Sequence, residues 1–430
     1  MITTVLASLV LGQYTPPAKG WPLLDDISKR TFNYFVERSH PVTGFTKDRS
    51  RNFQEKDVDD HYVASIAAIG FALSAYAVGE HRGWMSRDEA VKVSRKTLKH
   101  MIEVAPKHRG WFYHWLNWET GKKEWDSELS SIDSAIFWCG MIMNERALKD
   151  PEITRMNNEI LKAVDWKFML TNDGSKPSKK TFSMGWRPDK GFLDAEWDGY
   201  WESMMIYLLA LGADESIPAD VWKGFERKHE KGYGQEVLTG GALFLHQMSH
   251  VFFDFKGKRD MLGYDYWVSS RNNTLAQIEF ARQNPNKFKG YGGGIWGISA
   301  CDIPDGYGAQ GVLGPWTDNG TLAPPSAVAS MMFTPQESMA SAEAYVRYYP
   351  ETYGKYSFVT GFNPSRRWVS QDMIGIDHGQ MQLGIENARD GFPNQAFMTS
   401  PLVQRGMKRV GFKVTQEGAM EKRPLLIAPQ

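Results

Sequence analysis

The stretch HYVASIAAIGFALSAYAVGEH (61–81) is apolar on nearly every face. A helix of that composition has no side to turn to water, so other elements must enclose it. Its counterpart is SRDEAVKVSRKTLKHMIEVA (86–105), charged along one face as an outer helix is. It opens with Ser86 and Glu89 at capping-box spacing. Apolar and charged helical segments alternate imperfectly along the chain. An inner and an outer ring of helices would produce that pattern.

Helical periodicity recurs at 22–40, 129–148, 152–169, 200–211, 241–253, 265–283, 334–349, 378–389 and 394–408, giving about eleven or twelve helices. In the 334–349 stretch, Thr334, Pro335 and Glu337 read as N-cap, first helical residue and capping-box partner. Strand signals are few, and GWFYHWLN (110–117) is the best hairpin candidate. With no repeat and no Pro/Ser-rich linker, the reading is one all-α domain over 21–414 with a tail at 415–430. Residues 1–20 begin with an apolar run that fits a signal-peptide core, although no Lys or Arg precedes it and a buried strand is the alternative. The expectation is therefore export, to the periplasm or the medium. No later run reaches the ~18 apolar residues of a membrane span.

Lys+Arg and Asp+Glu each number 50, so the chain has no global attraction to nucleic acid or to an anionic membrane. Cys139 lies on an apolar helix, where a buried thiol is expected, and no disulfide with Cys301 can be inferred. Many aromatics sit in loops with glycine, as in RGWFYHWLNWETG (109–121), EWDGYWE (196–202) and KGYGGGIWG (289–297). Flat rings in such loops either line a cleft for a flat ligand, sugars included, or plug loop ends.

Acids stand where these loops enter apolar helices. Asp133 is three residues after the N-cap candidate Ser130, and Asp377 opens DHGQMQLGIENARDG with Gln380 three later. Helix capping and the helix dipole suffice to explain both. Glu202 lies among Trp201, Met204 and Met205, where burying a carboxylate is costly unless it is paired or used. Glu128 is too early to cap the helix after Ser130. If these helix starts converge at one mouth, the acids supply what glycoside hydrolysis needs, a carboxyl kept protonated by apolar surroundings and a second one ionised.

LFLHQMSHVFFDF (243–255) puts His246, His250 and Asp254 on one helical stripe. Histidines at that spacing can bind zinc, but no Glu follows His246, and hydrogen-bonded core histidines are the simpler reading. WGISACDIPDGYG (296–308) carries Asp302 and Tyr307 in a loop suited to ligand contact. No dinucleotide loop, P-loop or nucleophile elbow is present.

Taken in order, ELSSIDSAIFWCG, GYWESMMIYLLALG, LFLHQMSHVFFDF, SRNNTLAQ, WGISACDIPDGYG, FTPQES and GIDHGQMQLGIENARDG resemble the glycoamylase-like family. That family includes β-1,2-glucanases of glycoside hydrolase family 144 and is similar to the catalytic domain of cyclic β-1,2-glucan synthases. The resemblance spans roughly residues 20–412. It implies an (α/α)6 barrel, a glucan cleft at one end, and carboxylate catalysis without metal or cofactor. Carried over by motif, Glu128 and Glu202 are the leading catalytic pair, with Asp133 and Asp377 in the same pocket. Tyr200, Trp201, His246, His250, Arg271, Trp296, Asp302, Tyr307 and His378 are the implied substrate contacts. The family more often has a polar residue at Trp201 and Gln at His378, so linkage or chain-length preference can differ here.

The expectation is thus an exported hydrolase of a β-glucan, most readily β-1,2-linked. The rivals are a polysaccharide lyase with Tyr307 or a histidine as base, a glycan-binding protein without turnover, and a zinc enzyme on His246 and His250.

Overall fold

The computed structural model describes residues 16–17, 19–53, 60–415 and 424–427. The leader assigned to 1–20 lies almost wholly outside the described residues. The described helices are α1 (Gly20–Glu37), α2 (Ile66–His81), α3 (Arg87–Glu103), α4 (Ser131–Leu148), α5 (Pro151–Lys162), α6 (Trp166–Thr171) and α7 (Met204–Ala213). They continue as α8 (Leu243–Gln247), α9 (Tyr266–Gln283), α10 (Pro324–Ala329), α11 (Pro335–Tyr348), α12 (Gly375–Arg389), α13 (Phe392–Met398) and α14 (Pro401–Arg409). The strands are two to four residues long and pair as small ribbons in the connections.

Composition decides which helix goes inside. Every residue of α2 from Ile66 to Gly79 is buried, and so is every residue of α7 from Met204 to Gly212. In contrast, α3 buries only the stripe Ala90, Ser94, Thr97, Leu98 and Met101. The inner helices follow one another by contact: α2 on α4, α4 on α7, α8 on α10, α10 on α12, and α12 back on α2. The Ser249 hydroxyl, just after α8, donates to the Glu202 carbonyl just before α7 (2.8 Å) and links the remaining pair. Outside them, α1 packs on α2 and α12, α3 on α2 and α4, α5 on α4, α14 on α7, α9 on α8, and α11 on α10. This is the arrangement of an (α/α)6 barrel.

The tightest crossing is α2 on α4, where the backbones touch. A Cβ added at Gly140 would lie 2.0 Å from the Gly70 carbonyl oxygen, and one at Gly70 would lie 2.6 Å from the Phe137 Cα. Neither obstacle is a movable side chain. Gly140→Ala is therefore expected to destabilise the protein by about 3 kcal/mol, the upper end for overpacking. Chemical denaturation of the two proteins measures this, and equal midpoints would show that the two helices can part at no cost.

Several boundaries differ from those the periodicity suggests. The 110–117 segment does not fold on itself: Trp111–Phe112 pairs back with Lys107–His108, while Trp115–Asn117 pairs with Val63–Ser65. The 152–169 run breaks where Asp165 caps α6 through the Phe168 N–H. The 394–408 run breaks before Pro401, which holds Ser400 extended. Only Leu243–Gln247 of the 241–253 run is α-helix. The Ser86–Glu89 capping box forms in full. The one at Thr334 does not, because the Thr334 hydroxyl lies against Ser338 Oγ (3.2 Å) and caps nothing. The tail is not wholly loose, since Leu425 is buried and its carbonyl accepts the Asp265 N–H (3.0 Å).

Candidate active site

The starts of α2, α4, α7 and α12 meet at one end of the barrel. Between them lies a cavity of about 400 Å³, lined by Asp48, Arg49, Ser65, Ala67, His114, Trp115, Ile132, Asp133, Ile136, Glu202, Phe244, Tyr307, Ile374, Ile376 and Asp377. Four carboxyl groups thus face one small space with an apolar floor.

Each is placed by local structure. Asp133 is the third residue of α4. The N-cap Ser130 accepts its N–H (3.2 Å) and donates its own hydroxyl to Asp133 Oδ2 (2.5 Å). Glu202 stands two residues before α7, at the bend that ends the aromatic loop. Asp377 is the third residue of α12, whose N-cap is Ile374, so it caps nothing; its Oδ2 accepts the Thr360 hydroxyl (2.7 Å). Gln380 does not close a capping box either, because its amide donates to the Phe244 carbonyl. Asp48 is held by the backbone on both sides, its N–H donating to Val63 O and its carbonyl accepting the Gly375 N–H (2.7 Å).

The surroundings drive these acids apart in acidity. Burial, and then the negative charge of Asp133, push Glu202 up to about 8. Its Oε2 is buried with no hydrogen-bond partner, as suits a neutral carboxyl and not a carboxylate. Burial also pushes Asp377 up, to about 7; the Thr360 hydrogen bond opposes this while Asp302 and Asp48 add to it. Burial raises Asp48 as well, against the pull of Arg49.

Glu128 differs from the expectation. It stands behind the wall, with Oε1 3.0 Å from His114 Nδ1, while the other ring nitrogen of His114 is 3.4 Å from Asp133 Oδ2. Burial alone would raise Glu128, but its hydrogen bond to His114, the His114 charge and Arg187 outweigh it and bring it down to about 2. Burial likewise opposes charge on His114, but Asp133, Glu128 and Asp48 together hold its pKa above the ordinary value. The His114 ring thus lies between the side chains of Glu128 and Asp133, and of these three His114 and Asp133 line the cavity while Glu128 does not.

Of the residues expected to touch substrate, Tyr307 lines the cavity and is 55% exposed at its mouth. Asp302 lies just behind, bonded to Arg49 (3.2 Å) and the Ser370 hydroxyl (3.0 Å). The others are not on the lining. Tyr200, His246 and His250 are buried around the Ser270 hydroxyl at 3.1, 3.4 and 3.1 Å. Burial lowers the two histidines to about 4 and about 3. Asp254 does not join them; the chain leaves the helix after Gln247, and this acid pairs with Lys258 (2.5 Å). His378 is enclosed between the carbonyls of Ile374 (2.9 Å) and Phe358 (2.7 Å). Trp296 is buried in a second core cluster, Trp201 turns its ring toward Trp316, and Arg271 lines a different cavity with Lys256 and Glu337. Both cysteines are free and buried.

Asp48, Arg49, His114 and Trp115 were not legible as site residues. They arrive through long-range ribbons, Arg49–Arg51 with Asp372–Ile374 and Val63–Ser65 with Trp115–Asn117. The charged run Lys47-Asp48-Arg49 was the available signal.

Comparison with known proteins agrees with this picture. Residues 194–401 match the Glycoamylase family model. The chain is 25% identical over 92% of its length to an exo β-1,2-glucooligosaccharide sophorohydrolase of Parabacteroides distasonis, of which it spans 58%. A solved endo-β-1,2-glucanase of Chitinophaga pinensis, in complex with sophorotriose and glucose, superimposes with a TM-score of 0.82 at 27% identity, covering 91% of this chain and 97% of that one. A β-1,2-glucanase structure from P. distasonis has the same fold, with a TM-score of 0.82 at 23% identity over 92% of this chain and 60% of its own. A helical barrel shared over nine-tenths of the chain, with the family model matching the part that carries Glu202 and Asp377, makes this chain similar to the glycoamylase-like proteins.

Proposed function

We propose that this chain is a glycoside hydrolase that cleaves β-1,2-linked glucan. One observation carries the chemistry: Glu202 is a buried carboxyl with an unpartnered oxygen, kept protonated at neutral pH, in a cavity that also holds ionisable carboxylates. Glycosidic cleavage needs that combination. In this reading Glu202 protonates the leaving oxygen. Asp377, whose pKa of about 7 matches a base working near neutrality, takes the proton of the attacking water. Asp133, held by Ser130 and close to His114, adds to the burial that keeps Glu202 protonated, and Glu128 holds His114 in place. The β-1,2 linkage is supported by the names of the relatives from P. distasonis and C. pinensis.

The test is incubation with linear β-1,2-glucan beside β-1,3-, β-1,4- and α-glucans, with products resolved by mass and ultraviolet absorbance. Short saturated products from the β-1,2-glucan alone are expected. Unsaturated, absorbing products would replace hydrolysis with elimination, and binding without products would leave a glycan-binding protein. We also propose export; the mass of the mature N-terminus from the native host tests it.

A further inference from the structure

The cavity of about 400 Å³ is near the small end of sites for small ligands, ~300–1,000 Å³. A polymer held there must continue across the surface, and one wall offers an aromatic path. Trp115, on the cavity lining, stacks on His114 with ring centres 3.9 Å apart and planes at 15°. The Trp125 ring meets Trp115 edge-on at 5.7 Å and is itself 60% exposed. Its backbone is left-handed (φ 54°), a conformation a bulky residue rarely adopts and one that marks local function when the surroundings enforce it. Here they do. The preceding Glu124 N–H donates to the Trp115 carbonyl (2.9 Å), and the Glu124 carboxylate accepts from Asn117 Nδ2 (2.9 Å). The following Asp126 is ion-paired with Lys190 (2.7 Å) and lies 3.8 Å from Arg187. An exposed indole fixed on both sides is a preorganised platform, and the charged groups beside it suit hydroxyls at the edge of a stacked ring.

We propose that Trp125 forms an outer subsite that stacks a glucosyl unit of a chain leaving the cavity along the Trp115 wall, and so sets a preference for longer substrates. This rests on the glucan-hydrolase reading above.

The experiment compares kcat/KM of the wild-type chain, Trp125→Ala and Trp125→Phe on linear β-1,2-glucan and on the β-1,2-linked trisaccharide. The expected result is that Trp125→Ala reduces the ratio of long-chain to trisaccharide kcat/KM by about tenfold. The change should appear mainly as a higher KM for the polymer, and Trp125→Phe should recover most of the ratio. A structural role alone would lower both substrates together, and an unchanged ratio in Trp125→Ala overturns the subsite while the hydrolase reading stands. No turnover of either substrate by the wild-type chain overturns the hydrolase reading and the subsite with it.

Discussion

Glu202→Gln is expected to lower kcat on β-1,2-glucan by about 10²–10⁴-fold, the range for losing a general acid. The amide is nearly isosteric and uncharged, as the Glu202 carboxyl is at neutral pH with its pKa of about 8, so binding and fold should survive. Only the transferable proton is lost. That difference separates catalysis from packing. A β-glycoside with a dinitrophenyl leaving group needs no protonation, so on it Glu202→Gln should lose far less than on the glucan. The alkaline limb expected of the wild-type chain, a loss of activity as pH rises through about 8 and Glu202 gives up its proton, should also vanish in the variant. Stopped assays on both substrates check this. Equal losses on the two would remove Glu202 from the role of acid, and full activity on the glucan would end the proposal.

The inner helices could be recognised from composition alone. A segment such as 66–79, with no polar face, has one place to go, and it went there. Glu202 was legible for a related reason, since a carboxyl among apolar residues calls for an explanation that the barrel mouth supplies; Asp133 and Asp377 read equally well as helix caps, and it is the meeting of the helix starts that brings them to the cavity. Glu128 was conspicuous because it stands too early to cap α4, yet its partners, His114 and Arg187, come from distant parts of the chain, and it is not on the cavity lining. Sequence spacing cannot disclose such pairings. His246 and His250 are the hydrogen-bonded core histidines that their spacing suggested, and they meet at the Ser270 hydroxyl although α8 ends at Gln247. His378 misled because its two neighbours are backbone carbonyls, which leave no mark in the sequence.

Asp377→Asn should be as damaging to hydrolysis as Glu202→Gln, but in a different manner. The Thr360 hydroxyl can still donate to the amide oxygen, so the side chain should keep its place. What disappears is the ability to accept a proton from water. The loss, about 10²–10⁴-fold in kcat, should then be similar on the glucan and on the dinitrophenyl glycoside, because a better leaving group does not supply a base. The pH profile makes the assignment sharper. With Asp377 as base and Glu202 as acid, as proposed, kcat/KM of the wild-type chain should fall as pH drops below about 7 and as it rises above about 8. Limbs so close together give a narrow bell. In Asp377→Asn the acid limb should vanish from the residual rate while the alkaline limb remains. Retention of the acid limb would transfer the base to Asp133 or Asp48, the other carboxyls on the cavity wall. It would also mean that a pKa near 7 at Asp377 reflects burial beside Asp302 and Asp48 and nothing more.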